Sequence, residues 1–150
     1  MSTIVIPSAT SRTTSTTAAA LVKPGGQIGI VVPGVVSEFE EPPAHLEPLW
    51  ERDWEWWSFH SPEWWRRHWT KTRLVEVEVA DLVPNGWQHW VHSDEASLEL
   101  GFVPPRFALD LPHQIELMRM DAGRNLGFTR LVGRRVDHAR RSAAQTGRSS

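Results

Sequence analysis

L-V-K-P-G-G-Q-I-G-I-V-V-P-G, residues Leu21 to Gly34, is the stretch on which the fold turns. Lys23-Pro24-Gly25-Gly26 reads as a turn, because proline fixes one backbone dihedral and the glycines open the conformations that a tight reversal needs. The run from Gln27 to Val32 carries apolar or glycine side chains on both faces, the pattern of a strand covered on both sides, and it predicts a buried parallel strand. Pro33-Gly34 is expected to stop it. Ahead of the turn, residues 2 to 20 are dominated by Ser, Thr and Ala with Arg12 as the one charged side chain, which predicts a disordered leader over residues 1 to 20.

Downstream, a linker with Glu38, Glu40, Glu41, Pro42 and Pro43 leads into W-E-R-D-W-E-W-W-S-F-H-S-P-E-W-W-R-R-H-W, Trp50 to Trp69, which holds seven of the nine tryptophans. An indole buries a large apolar area and has a ring N–H to satisfy, so this stretch needs other elements to cover it. Leu46, Leu49, Trp50, Asp53, Trp54 and Trp57 fall near helical spacing and predict one helix, with Glu47, Glu51, Arg52 and Glu55 outside. The pattern stops at Ser58-Phe59-His60. Ser61-Pro62-Glu63 then starts a second helix: a hydroxyl to cap free N–H groups, a proline whose missing N–H costs nothing there, and an acid at the positive dipole end. Trp65, His68 and Trp69 share one side of it, and it ends near Lys71 and Arg73.

Leu74 to Val79 alternates strictly and predicts a strand with one wetter face. Pro84-Asn85-Gly86 is a turn ahead of Trp87 and Trp90, and residues 93 to 112 carry little readable pattern. Asp110 is expected to cap a helix with Leu111, Ile115, Met118 and Ala122 on one face, ended by Asp121-Ala122-Gly123. Leu126 to Gly133 is a third strand; from Arg134 the chain is polar and Arg-rich, with a disordered basic tail expected over residues 136 to 150.

Composition narrows the classes. A chain of 150 residues supports one domain with a sizeable core. A net charge of -2 gives no general pull toward nucleic acid or acidic membranes, and no apolar run approaches the length that spans a bilayer. With no cysteine there is neither a disulfide framework nor a thiolate metal site, which fits a cytoplasmic location. His60, His68, His89 and His92 lack the spacing of a convincing metal site.

With strand, helical connection, strand, helix and strand in order, four stretches support a resemblance: I-G-I-V-V-P-G, F-H-S-P-E-W-W-R-R-H-W, V-A-D-L-V-P-N-G-W and G-R-N-L-G-F-T-R-L-V. Together with the L-V-K-P-G-G turn they resemble the C-terminal half of an S-adenosylmethionine-dependent methyltransferase of the Rossmann-like type, in a bacterial subgroup with a Trp-rich insertion on the acceptor side. The resemblance covers roughly residues 21 to 92 and 117 to 135. It implies an α/β fold in which the "KPGG" turn feeds the fifth strand and the last two strands form an antiparallel pair beside it. The domain would span residues 21 to 135, with the Trp-rich insertion over 43 to 72. The family's cofactor-binding motifs all lie upstream of that turn, so the resemblance implies S-adenosylmethionine as methyl donor while assigning no cofactor-binding residue to this chain. A chain of this kind is expected to bind the cofactor poorly and to be catalytically weak or silent alone.

Ligands of open parallel sheets sit beyond the carboxyl ends of the strands. Pro33, Gly34 and Glu38 stand at such an end, and Trp57, Phe59, His60 and Trp64 stand around the break in the Trp-rich stretch. These seven are the candidate lining of a pocket for a small-molecule acceptor, with His60 able to act as a base or to orient the acceptor. An ordinary strand-to-helix connection and a capping or core histidine are the plainer readings of the same residues. The rival functions are a non-catalytic Trp-rich binding module and a partner that completes its fold by docking on another chain. Stacking on single-stranded nucleic acid is disfavoured, because Glu47, Glu51, Asp53, Glu55 and Glu63 balance or outnumber the bases.

Overall fold

A computed structural model describes residues 19 to 103 and 110 to 137, so most of the expected leader and tail lies outside the described residues. Three strands, β1 (Gln27–Val35), β2 (Val75–Leu82) and β3 (Leu126–Arg135), make one sheet in the order β1-β3-β2. The last strand in the chain is the middle one in space, and it runs antiparallel to both neighbours. Ile30 stands opposite Leu131 and Val35 opposite Leu126, while Ala80 faces Leu131 from the other side. The α/β architecture with a partial sheet of three strands is as expected.

Three readings of β1 are corrected. Its partner is antiparallel, because β3 enters between the two strands that run the same way. The strand is not covered on both sides: Val31 is 51% exposed. Val31 shares its face with its partner Arg130, and that face carries ion pairs from Arg130 to Asp81 (2.6 Å) and from Arg134 to Glu78 (2.8 Å). Nor does Pro33-Gly34 end the strand, which runs on to Val35. A proline fits an outer strand, where one row of backbone groups has no ladder to join.

The opposite face is covered by α2 (Pro62–Thr72). The Ser61 hydroxyl accepts from the Trp64 N–H, and Arg73 in the left-handed region ends the helix, so this element forms where its capping residues put it. Trp65 and Trp69 then pack on Ile28, Ile30, Val75 and Leu131. Trp69 reaches the sheet because residue 133 is glycine; a Cβ there would lie 2.4 Å from Val75 Cγ1 and 3.4 Å from the Trp69 ring. The ring N–H groups of Trp65 and Trp69 are buried without an acceptor, so apolar packing holds them against the penalty of an unmade hydrogen bond.

A second core lies at the other end of the sheet, where α1 (Glu47–Arg52), a 3-10 turn (Trp54–Ser58), α3 (Gly86–Leu100) and α4 (Leu111–Asp121) meet Val35 and Leu126. The single helix expected through Trp57 is broken at Asp53, which leaves helical geometry and accepts from the Glu55 N–H with its side chain. The tighter period after the break turns Trp56 inward and leaves Trp54 at 77% and Trp57 at 53% exposure, the reverse of the expected face. α3 fills part of the stretch that carried no readable pattern. Asp110 makes no side-chain cap, and Ala122, expected on the buried face of α4, is the exposed left-handed residue after its end; Asp121 is buried in its place.

Asp121 is the fastening of this end. It is fully buried, and its carboxylate accepts from His45 Nε2 (2.9 Å), Asn125 Nδ2 (2.7 Å) and the backbone N–H groups of Asn125 and Leu126 (3.0 Å each). It thereby ties the linker before α1 to the start of β3.

Candidate functional site

The carboxyl end of β1 and the break before α2 come together because residue 34 is glycine. A Cβ on Gly34 would stand 2.6 Å from the His60 carbonyl oxygen and 2.5 Å from Thr129 Oγ1. Without it, the Thr129 hydroxyl donates to that carbonyl (3.2 Å), and the His60 backbone lies against the sheet.

Glu38, three residues beyond the strand, reaches the same break. Its Oε1 accepts from the Ser61 backbone N–H (2.6 Å), and its Oε2 lies 3.3 Å from His60 Nδ1. Burial works to raise the Glu38 carboxyl, but the Ser61 backbone and side chain and the His60 ring outweigh it and hold the group below its ordinary value. The side is therefore an ionised carboxylate that fixes one nitrogen of the imidazole. The His60 ring is fixed from its face as well: it stacks on Trp64 with centroids 3.7 Å apart and planes 6° from parallel, and Trp64 stacks in turn on His68 at 4.8 Å.

In front of this pair is a cavity of about 90 Å³. Glu38 and His60 supply its polar lining, while Val35, Phe39 and Trp50 form part of the apolar wall and Trp56, Trp57 and Phe59 the rest. The aromatic rings brace one another: Phe39 meets Trp50 edge-on at 5.3 Å, Trp56 meets Phe59 edge-on at 5.0 Å, and Trp90 of α3 stacks behind Trp56 at 5.7 Å.

Of the seven candidate residues, Glu38, Trp57, Phe59 and His60 line this cavity. Trp64 stands behind His60, and Pro33 and Gly34 lie in β1 as its support. Reading the sequence missed Trp50 and Trp56 as wall residues. Trp56 was hidden by the change of helical period, and Trp50 was read as part of the apolar face of the first helix. A larger hollow of about 250 Å³ lies between α3 and α4, with Arg52, Asp94 and Gln114 among its lining. Val103 and Asp110 also line it and flank residues 104 to 109, so the described residues do not define its whole wall. Among the described residues no three His, Cys, Asp or Glu side chains gather as metal ligands, and no helix is long and apolar enough to cross a membrane.

No protein-family model matches the chain, and no curated protein matches its sequence. The fold matches that of a solved structure, a provisionally assigned sarcosine dimethylglycine methyltransferase from Galdieria sulphuraria, with a TM-score of 0.58 and 16% identity. The match takes in 87% of this chain and 49% of that one, so the chain spans about half the length of the protein it resembles. The chain has a methyltransferase-like fold over that half.

Proposed function

We propose that the chain is the acceptor-side part of an S-adenosylmethionine-dependent methyltransferase acting on a small molecule. The observation that carries this reading is the Glu38–His60 pair at the mouth of an aromatic cavity, at the carboxyl end of a strand in a sheet of methyltransferase-like fold. When bound, S-adenosylmethionine supplies an electrophilic methyl group. The described residues do not fit that cofactor: Gly34 near the end of β1 and Gly86 at the start of α3 have their open sides filled by Thr129, the His60 carbonyl and Phe128, and neither leaves a cradle for a ligand.

What the chain contributes is therefore the acceptor's surroundings. The aromatic walls exclude water and hold the acceptor in one orientation, which is where most of the gain of an aligned transfer arises. With the proton on Nδ1 directed at Glu38, the Nε2 of His60 keeps a lone pair that can take a proton from the acceptor's nucleophile. The carboxylate then balances the charge left on the ring.

A chimaera with the other half of the Galdieria protein placed ahead of Leu21 tests this reading. With labelled S-adenosylmethionine and a panel of small amines, alcohols and phenols, it should transfer methyl groups, and His60→Ala should lower turnover by about 10²- to 10⁴-fold while cofactor binding stays unchanged. A chimaera that folds and binds the cofactor yet methylates nothing would sink the proposal. A docking role is the second reading, favoured by one observation: among the described residues the outer edge of β1 has no partner strand, and Val31 beside it is exposed.

A further inference from the structure

We infer that the cavity at the end of β1 selects a small aliphatic ammonium group and rejects carboxylates. This deepens the methyltransferase reading and rests on it only for the chemistry that follows binding.

Charge decides the sign of the ligand. Among the described lining residues there is no Lys or Arg, while Glu38 is an ionised carboxylate with its side chain 43% exposed. The hydrogen bonds it accepts from Ser61 and His60 do not use all the lone pairs of the carboxylate, so a cation can reach it from the cavity side. An anionic group would meet that carboxylate in a recess with no Lys or Arg to receive it.

The walls fit the same class. Trp56, Trp57, Phe59 and Phe39 offer π faces and edges to one small volume, and the electron-rich face of an aromatic ring attracts an ammonium, Trp most strongly. A carboxylate completing an aromatic enclosure matches the methyl groups of an alkylated amine to the rings and its positive charge to the acid. Size narrows the ligand further. About 90 Å³ is room for roughly three waters, and so for a head group of about four or five heavy atoms. A protonated amine entering here meets Glu38 and, one bond away, His60, the group able to take its proton.

The test compares three probes of equal heavy-atom count and different charge on the purified chain: tetramethylammonium, tert-butanol and propionate, followed through the indole N–H signals of a nitrogen-15 spectrum. Tetramethylammonium should saturate at least about tenfold more tightly than tert-butanol, moving the signals of Trp56 and Trp57, and propionate should not saturate. Glu38→Gln should erase the preference for the cation. Because Glu38 also accepts from the Ser61 N–H, Trp57→Leu is the second variant; its half-exposed ring can go without disturbing those hydrogen bonds, and tetramethylammonium affinity should fall severalfold. Binding of tert-butanol or propionate within twofold of tetramethylammonium, or a Trp57→Leu chain that binds the cation unchanged, overturns the inference. The methyltransferase reading fails separately: selective ammonium binding with no methylation of any amine by the chimaera leaves the site and removes the reaction, whereas methylation of a phenol without ammonium preference does the reverse.

Discussion

Two carboxylates, Glu38 and Asp121, are held below their ordinary values by hydrogen bonds that outweigh burial, yet they serve different ends. Glu38 keeps open lone pairs toward a cavity. Asp121 has every approach filled: burial would raise it, but the Asn125 side chain and backbone, the His45 ring and the Leu126 N–H together bring it down. A depressed carboxyl contributes stability that is complete above its unfolded value, near pH 4, and lost as pH falls through the folded value. Urea midpoints should therefore drop in acid below about pH 4, and Asp121→Ala should flatten that dependence. At neutral pH the same substitution should remove about 2–4 kcal/mol, since it strands buried donors of Asn125, Leu126 and His45. Both the acid and its partners were in view in the sequence, but reading Asp121 as part of a turn gave no hint that His45 closes on it from 76 residues away. The same holds for Glu38 and His60. Each stood out singly, and only the close approach at Gly34 makes them a pair.

Elements were readable where their signals are local. Ser61-Pro62 caps and starts α2 by chemistry confined to one turn, and its buried side follows from Trp65 and Trp69 four residues apart. The stretch before it was misread because one residue, Asp53, changes the period from 3.6 to 3, and every tryptophan after the break changes face. α3 was left unread although Trp87, Trp90, Val91, Asp94 and Leu98 follow helical spacing; its few apolar residues are diluted by His, Ser and Glu. The two classes of tryptophan predict different outcomes. Trp69→Ala empties a site at 1% exposure beneath α2 and should cost about 3–5 kcal/mol in urea unfolding, whereas Trp54→Ala at 77% exposure should stay within about 0.5 kcal/mol. Equal effects would show that the break at Asp53 is not as described.

At the scale of the whole molecule, the described residues make a sheet finished on one side. β2 closes its outer edge with Glu76, Glu78 and Asp81 and with the bulge between Val77 and Val79, all features that discourage a further strand. β1 has no charged residue from Gln27 to Val35, and only Pro33 interrupts an otherwise apolar outer edge. Association should therefore occur through β1: the sedimentation coefficient should rise with concentration, and Val31→Lys should hold the chain to the monomer. A monomer at all concentrations would remove the docking reading. The half-sheet architecture was in the sequence through the order of its strands, but the two-faced character of β1 was not. Its both-sided apolar pattern describes what the strand could accept, and only the Arg130 and Arg134 ion pairs reveal that its second face looks outward here.

The placing of β3 between β1 and β2 also sets a timetable for synthesis. Nothing can join the first two strands until the third has left the ribosome, and Trp65 and Trp69 have no Leu131 to pack on until then. At roughly 5–20 residues per second, a nascent chain holds those indoles without their Leu131 contact for several seconds. Chaperone capture in that window is the expected consequence, and its duration would respond to translation speed between α2 and β3 with no change in the finished protein.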